Sequence, residues 1–295
     1  MTLISQDRSK PSPDRGAVFS LEGKGFHTGK TNRLELSAWH GGNGWIEVGS
    51  ERHAVWGLGS KPSAMGRCTA SEGVGPLEHL SAAALCQGVG GWLLKADHGD
   101  LPLFDGSARI WQEAFLSISG SGYGVRVESV DLEATRWESA RGGILAVEPS
   151  DRFRLRVDWS AGPDGPETWE GGESELCQTL AARTFVDVAD WLAARNQGFL
   201  QGTDATSGRL LRLREPTAEA IRLACQLGIQ PEHRVWTGGG ARMPDECAAH
   251  KAMDLAGDIG CWIGYLPKLS IHARDTGHDL HHLLGSALRG SIGEV

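Results

Sequence analysis

The sequence predicts an α+β protein built as two similar layered domains. In each half, segments that alternate apolar and polar residues come before segments whose apolar residues recur at helical spacing. Ser119-Gly120-Ser121-Gly122 is the best joint between the halves, dividing the chain into 1–122 and 123–295, with an inserted segment at 198–245 in the second. A length of 295 residues suits one large or two ordinary domains, and a hydrophobic content of 40% is enough to build their cores.

Residues 1–16 read as a loose polar tail without the apolar stretch of a signal peptide. Ala17-Val18-Phe19-Ser20-Leu21 begins a strand that runs into a glycine-rich turn, Glu22 to Thr31. That turn is not a phosphate-binding P-loop, because G-x-x-x-x-G-K-[ST] needs a glycine where Lys24 stands. Arg33 to Leu36 alternates toward a second strand. Gly75-Pro76 opens a helix, with proline suited to the first turn, an apolar stripe of Leu77, Leu80, Ala84 and Leu85, and Gly88 at its end. Gly90 to Lys95 reads as a strand, Leu101 to Ala108 as a turn and Arg109 to Leu116 as a short helix.

In the second half, Val125 to Leu132 and Phe153 to Trp159 alternate as strands, and Pro163 to Gly172 reads as a turn-rich loop. Glu173 to Leu180 is expected to be helical. Asp187 to Arg195 is a clearer helix, with Val188, Trp191 and Leu192 on one face. Thr217 to Leu227 is amphipathic, Ala249 to Ile259 is a helix, Trp262 to Ile271 reads as a core strand, and a last helix reaches Arg289.

The formal net charge of −8 and the lack of a long basic run argue against a nucleic-acid partner. Six scattered cysteines with no C-x-x-C read as reduced thiols in a cytoplasmic protein. No apolar run reaches the roughly 18 residues of a transmembrane helix. A monomer is expected.

The chemistry concentrates in His250-Lys251-Ala252-Met253-Asp254-Leu255-Ala256-Gly257-Asp258. On a helix, His250, Asp254 and Asp258 stack on one face at i, i+4 and i+8. An imidazole and a carboxylate at that spacing can reach one divalent cation, as the histidines of H-E-x-x-H reach zinc. The best third donor is His79, next to Glu78, which would leave a fourth position open. The spacing alone also suits a surface pair or a cap, and Glu78 in a first turn suits the helix dipole.

Six motifs, in order, resemble the UDP-3-O-acyl-N-acetylglucosamine deacetylase family, the zinc enzymes of lipid A synthesis. They are Gly25-Phe26-His27-Thr28-Gly29, Leu77-Glu78-His79-Leu80, Phe104-Asp105-Gly106-Ser107-Ala108, Ala182-Arg183-Thr184-Phe185, the His250 to Asp258 stretch, and Thr276-Gly277-His278. The resemblance implies two domains, each a small β-sheet with helices packed on one face, and an active site at their interface. It implies a Zn2+ cofactor on His79, His250 and Asp254, and hydrolysis of the acetamide of a UDP-linked, 3-O-acylated N-acetylglucosamine. Glu78 is then the general base and His278 the cationic histidine, with Asp258 holding its charge and Thr184 donating to the oxyanion. Lys251, pointing off the metal-binding face, falls near the substrate phosphates, and Phe185 and Asp190 near the sugar and nucleotide.

Other readings of these residues stand beside the family roles. Thr184 also suits a helix N-cap, and Asp258 an exposed helical acid. His281 and His282 read as surface residues rather than a second metal site. Asp105 reads as a turn-former binding local amides, and Cys68 as a spare thiol. Arg209, Arg212, Arg214 and Arg222 could meet phosphates or face solvent, and solvent is expected.

The acyl passage expected after Thr184-Phe185 departs from the family pattern: Trp191 is bulky there, and Gln201, Thr203 and Asp204 are polar. A passage loses about 0.8 kcal/mol for each methylene it no longer buries. That favours a shorter acyl group or another N-acetylated amino sugar. A non-catalytic paralogue that binds a nucleotide sugar or a protein partner is the contrasting possibility, and the joint presence of Glu78, His79, Thr184, His250, Asp254, Asp258 and His278 argues against it.

Overall fold

The structure, a computed structural model, describes residues 17–40, 42–56, 61–62, 69–70, 73–119, 124–204, 206–212, 217–226, 235 and 240–291. The expected tail, the centre of the joint at 120–122, Cys68 and Arg214 lie outside these residues.

The first half contains β1 (Val18–Lys24), β2 (Thr31–Ala38), β3 (Gly44–Val48), β4 (Glu51–Ala54), the short pair β5 (Lys61–Pro62) and β6 (Thr69–Ala70), α1 (Glu78–Gln87), β7 (Trp92–Ala96) and α2 (Arg109–Ser119). Its main sheet has the order β1-β2-β7-β3-β4, antiparallel except where β7 meets β3. Period-two patterning sets the inner face: Asn32, Leu34 and Leu36 point inward on β2 while Thr31, Arg33 and Glu35 face water.

The second half contains β8 (Val127–Glu128), β9 (Thr135–Glu138), β10 (Ile144–Pro149), β11 (Arg154–Gly162), β12 (Gly165–Gly171), α3 (Glu173–Leu176) running into a 3-10 turn at Cys177–Ala181, β13 (Phe185–Asp187), α4 (Val188–Asn196), β14 (Arg209–Leu211), α5 (Ala218–Gln226), α6 (Glu246–Ile263), β15 (Leu266–Pro267), β16 (Leu269–Arg274) and α7 (His278–Ser291). Its main sheet, β9-β10-β16-β11-β12, is antiparallel except where β16 meets β11. The two sheets thus share one topology, with a late-arriving central strand (β7 or β16) preceded by one helix and followed by another. The helices α1 and α6 occupy equivalent places and pack against each other, and one hydrophobic core runs through residues of both sheets. The expectation of two similar sheet-and-helix units is met.

Several elements differ from the expected ones. Pro163 to Gly172 is not a loop: from Gly165 it is an edge strand, with no residue deeply buried, so its alternation carries little apolar signal. Its Pro166 is tolerated at an edge. Trp262 to Ile271 is not one strand, because α6 continues to Ile263, Gly264 caps it at φ 75°, and β15 and β16 follow. The apolar character is continuous there because a buried helix end leads straight into a buried strand. Val125 to Leu132 pairs only over Val127–Glu128. Pro76 lies before α1 rather than in its first turn. Among the described residues no helix is long and apolar enough to cross a membrane, and Cys86, Cys177, Cys225, Cys247 and Cys261 are free thiols.

Candidate active site

The site forms where α1 meets α6. Gly257 permits the contact: a Cβ there would lie 2.0 Å from the Glu78 carbonyl oxygen, so the helices touch backbone to backbone. His79 Nε2 and His250 Nε2 then stand 3.6 Å and 3.3 Å from Asp254 Oδ1, all three side chains buried. His250 Nδ1 faces the Ala182 carbonyl at 3.3 Å. Donation there leaves the Nε2 lone pair turned toward Asp254.

These residues fit a metal ion. Asp254 Oδ1 is buried without a hydrogen-bond partner among the described residues. Two tetrahedral ligands at about 2.0–2.1 Å from zinc stand about 3.3–3.4 Å apart, close to the donor separations here. Burial drives His250 down to about 3, which keeps it neutral as a ligand must be. Burial opposes the Asp254 charge, but His250, Lys251 and the other groups around it hold the carboxyl well below its usual value. Burial likewise opposes charge on His79, yet the carboxylate charges of Asp254 and Glu78 beside it raise it above the ordinary value.

Glu78 opens α1 beside this group. One of its oxygens accepts from the Thr69 and Leu77 amides at 2.9 Å and 3.1 Å, and burial raises its pKa. Asp258, one turn beyond Asp254, has an oxygen 2.7 Å from Nδ1 of both His278 and His281, while the Thr69 hydroxyl donates to the other. Asp258 is fully buried, not an exposed acid. Burial would lower His278, but the Asp258 charge and hydrogen bond raise it to about 9. Its Nε2 lies 4.0 Å from Asp254 Oδ2.

A cleft of about 510 Å³ joins these groups to Thr184, Phe185, Asp190, Trp191 and Lys251. Thr184 is fixed by its backbone, donating to the Gly106 carbonyl at 2.6 Å and accepting from Arg209 at 2.9 Å. It is not a helix cap: Asp187 caps α4, accepting from Ala189 at 2.9 Å. Lys251 does not point off the metal-binding face: its ammonium returns 3.0 Å from Asp254 Oδ2 and lies 5.7 Å and 5.6 Å from the ring centres of Trp159 and Phe185. Trp191 packs against Val188, Ala194, Leu200 and Leu210 and donates to Thr203 Oγ1 at 2.9 Å. The Arg195 guanidinium covers its ring at 4.9 Å.

Two further expectations are corrected. His281 and His282 are buried, packed beneath the site instead of facing water. Arg209 is buried and ion-paired to Glu246 at 3.4 Å, whereas Arg222 is exposed as expected. Asp105 does bind locally, accepting from the Ser107 amide and hydroxyl at 3.0 Å and 2.8 Å. The cleft also contains Trp159, Arg141 and Asp275, which no motif singles out; Trp159 Nε1 is buried without a hydrogen-bond partner among the described residues.

The family described as UDP-3-O-acyl N-acetylglycosamine deacetylase matches residues 16–289. The chain is 28% identical over 291 residues to a UDP-3-O-acyl-N-acetylglucosamine deacetylase of Citrifermentans bemidjiense, covering 92% of this chain and 87% of that one. It is 26% identical over 281 residues to the enzyme of the same name from Shewanella sediminis, covering 90% and 85%. It is 25% identical over 309 residues to a bifunctional LpxC/FabZ enzyme of Bacteroides thetaiotaomicron, covering 93% of this chain but only 63% of that longer protein. The match takes in both sheets and every residue of the α1–α6 cluster, and the chain belongs to the UDP-3-O-acyl N-acetylglycosamine deacetylase family.

Proposed function

We propose that the chain is a zinc-dependent amidohydrolase of lipid A synthesis, removing the N-acetyl group from a UDP-linked 3-O-acyl-N-acetylglucosamine. The observation that carries this reading is the convergence of His79, His250 and the unpartnered oxygen of Asp254, with Glu78 and His278 on either side. The names of the relatives supply the substrate class. Zinc on the three ligands would act as a Lewis acid and lower the pKa of a water toward about 7.

The rest of the chemistry falls to side chains. Glu78, with a raised pKa and one oxygen held by two amides, takes the proton of the attacking water. Water oxygen bonds to the acetamide carbon, and the Thr184 hydroxyl and cationic His278 face the developing oxyanion. His278 gives its Nε2 proton to the sugar nitrogen and the C–N bond breaks to give the free amine and acetic acid, which loses its proton to solvent as acetate, while the proton on Glu78 restores His278. Asp258 keeps His278 charged through the 2.7 Å hydrogen bond at Nδ1. Lys251, with Trp159 and Phe185 beneath it, presents a cation over aromatic faces, suited to the diphosphate and nucleoside end. Asp190 lies along the same cleft.

The same chemistry on a short-chain or unacylated amino sugar is the second reading, favoured by the bulk of Trp191 where it lines the cleft among Val188, Leu200 and Leu210. One experiment tests both. Purified protein should bind about one zinc per chain, lose it on His79→Ala, and release acetate from UDP-3-O-acyl-N-acetylglucosamine; comparison across acyl lengths and with the unacylated sugar nucleotide separates the two. Metal-free active protein, or no acetate from any of these substrates, would overturn the proposal.

A further inference from the structure

His281 and His282 take no part in the chemistry above, yet they are 0% and 7% exposed. Donor and acceptor chemistry fixes the direction of the protons around them. An indole N–H can only donate. Trp262 Nε1, 3.1 Å from His282 Nδ1, therefore makes that nitrogen an acceptor. A cationic His282 would set two N–H groups against each other, so it is neutral with its proton on Nε2. That nitrogen lies 3.1 Å from Thr69 Oγ1. The threonine accepts there and gives its own proton to Asp258 Oδ1. The other Asp258 oxygen faces Nδ1 of both His278 and His281 at 2.7 Å, and a carboxylate oxygen accepts from each. With Nδ1 donating to Asp258, the neutral His281 ring accepts at Nε2 from the Thr276 hydroxyl at 2.9 Å.

We infer that Trp262, His282, Thr69 and Thr276 form a directed hydrogen-bond circuit ending on Asp258, and that His281 is a positioning residue within it. By sharing Asp258 Oδ2 with His278 and donating from the opposite ring, His281 fixes the plane of the carboxylate. Thr69 fixes its other oxygen. A carboxylate pinned at both oxygens aims the His278 ring, leaving Nε2 turned toward the ligand set 4.0 Å from Asp254. Gly285 makes room for the far end of the circuit, since a Cβ there would lie 2.1 Å from the Trp262 ring. None of Thr69, His281, His282 and Trp262 lines the cleft.

The catalytic consequence rests on the deacetylase reading, but the proton directions have a readout of their own. In zinc-loaded protein labelled with 15N-histidine, His282 should appear as the neutral Nε2–H tautomer and His281 as the neutral Nδ1–H tautomer, with His281→Leu and His282→Leu used for assignment. His281→Leu should lower kcat about tenfold to a hundredfold with KM unchanged, the range seen when a group supporting an active-site ligand is removed. His281→Asn, whose amide N–H reaches the place of Nδ1, should restore kcat to within about threefold of wild type. The opposite tautomer at either ring overturns the circuit, and so does a His281→Leu enzyme with wild-type kcat, or one that asparagine does not rescue. Should His281→Leu fail to fold, the wild-type tautomers and the asparagine variant still decide. A wild-type chain that releases no acetate defeats the deacetylase reading and leaves the tautomers to judge the circuit. An active wild type with an equally active His281→Leu defeats the circuit alone.

Discussion

Trp191→Leu should lengthen the acyl chain that the enzyme accepts. The indole lines the cleft, donating to the Thr203 hydroxyl at 2.9 Å and covered by Arg195 at 4.9 Å. Leucine has about six fewer non-hydrogen atoms; if half that space becomes usable, about three methylenes gain a burial site, each contributing about 0.8 kcal/mol. The sum, about 2.4 kcal/mol, corresponds to about a fiftyfold rise in kcat/KM for a chain three methylenes longer, relative to the longest chain wild type prefers. The substitution also removes one hydrogen bond, a cation–π contact and core packing, so stability should fall by about 2–4 kcal/mol. Steady-state kinetics over a series of acyl lengths, beside a urea melt for each protein, would measure both effects. If the variant is folded and its length preference matches wild type within twofold, Trp191 does not limit the passage and the reasoning from its packing is wrong.

Two further outcomes test the polar machinery. Glu78→Gln keeps an oxygen for the Thr69 and Leu77 amides, so it should retain zinc while kcat falls about 10²–10⁴-fold; normal turnover would remove Glu78 from the base role. Burial raises the Glu78 pKa in the fold, so its contribution is intact below its unfolded value and is lost as pH rises through the folded value. Metal-free Glu78→Gln should therefore melt higher than metal-free wild type at pH 8, and a lower melting point would contradict the burial argument. Glu246 accepts from Arg183 Nε and Nη2 at 2.8 Å and 3.0 Å and pairs with Arg209, and Glu246→Ala should cost about 3–5 kcal/mol by stranding buried guanidinium charge. Burial opposes the Glu246 charge, but the arginines hold its carboxyl below the ordinary value. Its contribution is present above the unfolded pKa of about 4.3 and is lost as pH falls through the lowered folded value, so acid urea melts of Glu246→Ala should show a shallower pH dependence than wild type.

The inward face of α6 could be read from the sequence because its information is local. His250, Asp254 and Asp258 repeat every four residues, and α6 places all three inward. The burial of His281 and His282 could not be read, although they lie on the same stripe of α7 as His278, Gly285 and Leu288. Histidine counts as polar in a periodicity, so a buried stripe made largely of imidazoles looks like a wet face; its partners, Thr69 and Trp262, are 213 and 20 residues from His282. The edge strand β12 was hidden for the opposite reason: neither of its faces is deeply buried, so it has no apolar side to show. The inward turn of Lys251 is not legible in the sequence because helical spacing gives the direction of a Cβ, while a four-carbon stem can fold back to Asp254 three residues on.

The backbone contact at Gly257 makes the distance between two chain segments a property of a single missing methyl group. Any larger residue at that point would wedge the two long helices apart and widen the gap from His79 to its partners on the other side. The spacing of His79 from His250 and Asp254 and the tightness of the interhelical seam are therefore one trait rather than two. The pair can drift in sequence only as a unit, and a screen for variants that lose metal without touching a ligand should find this position first.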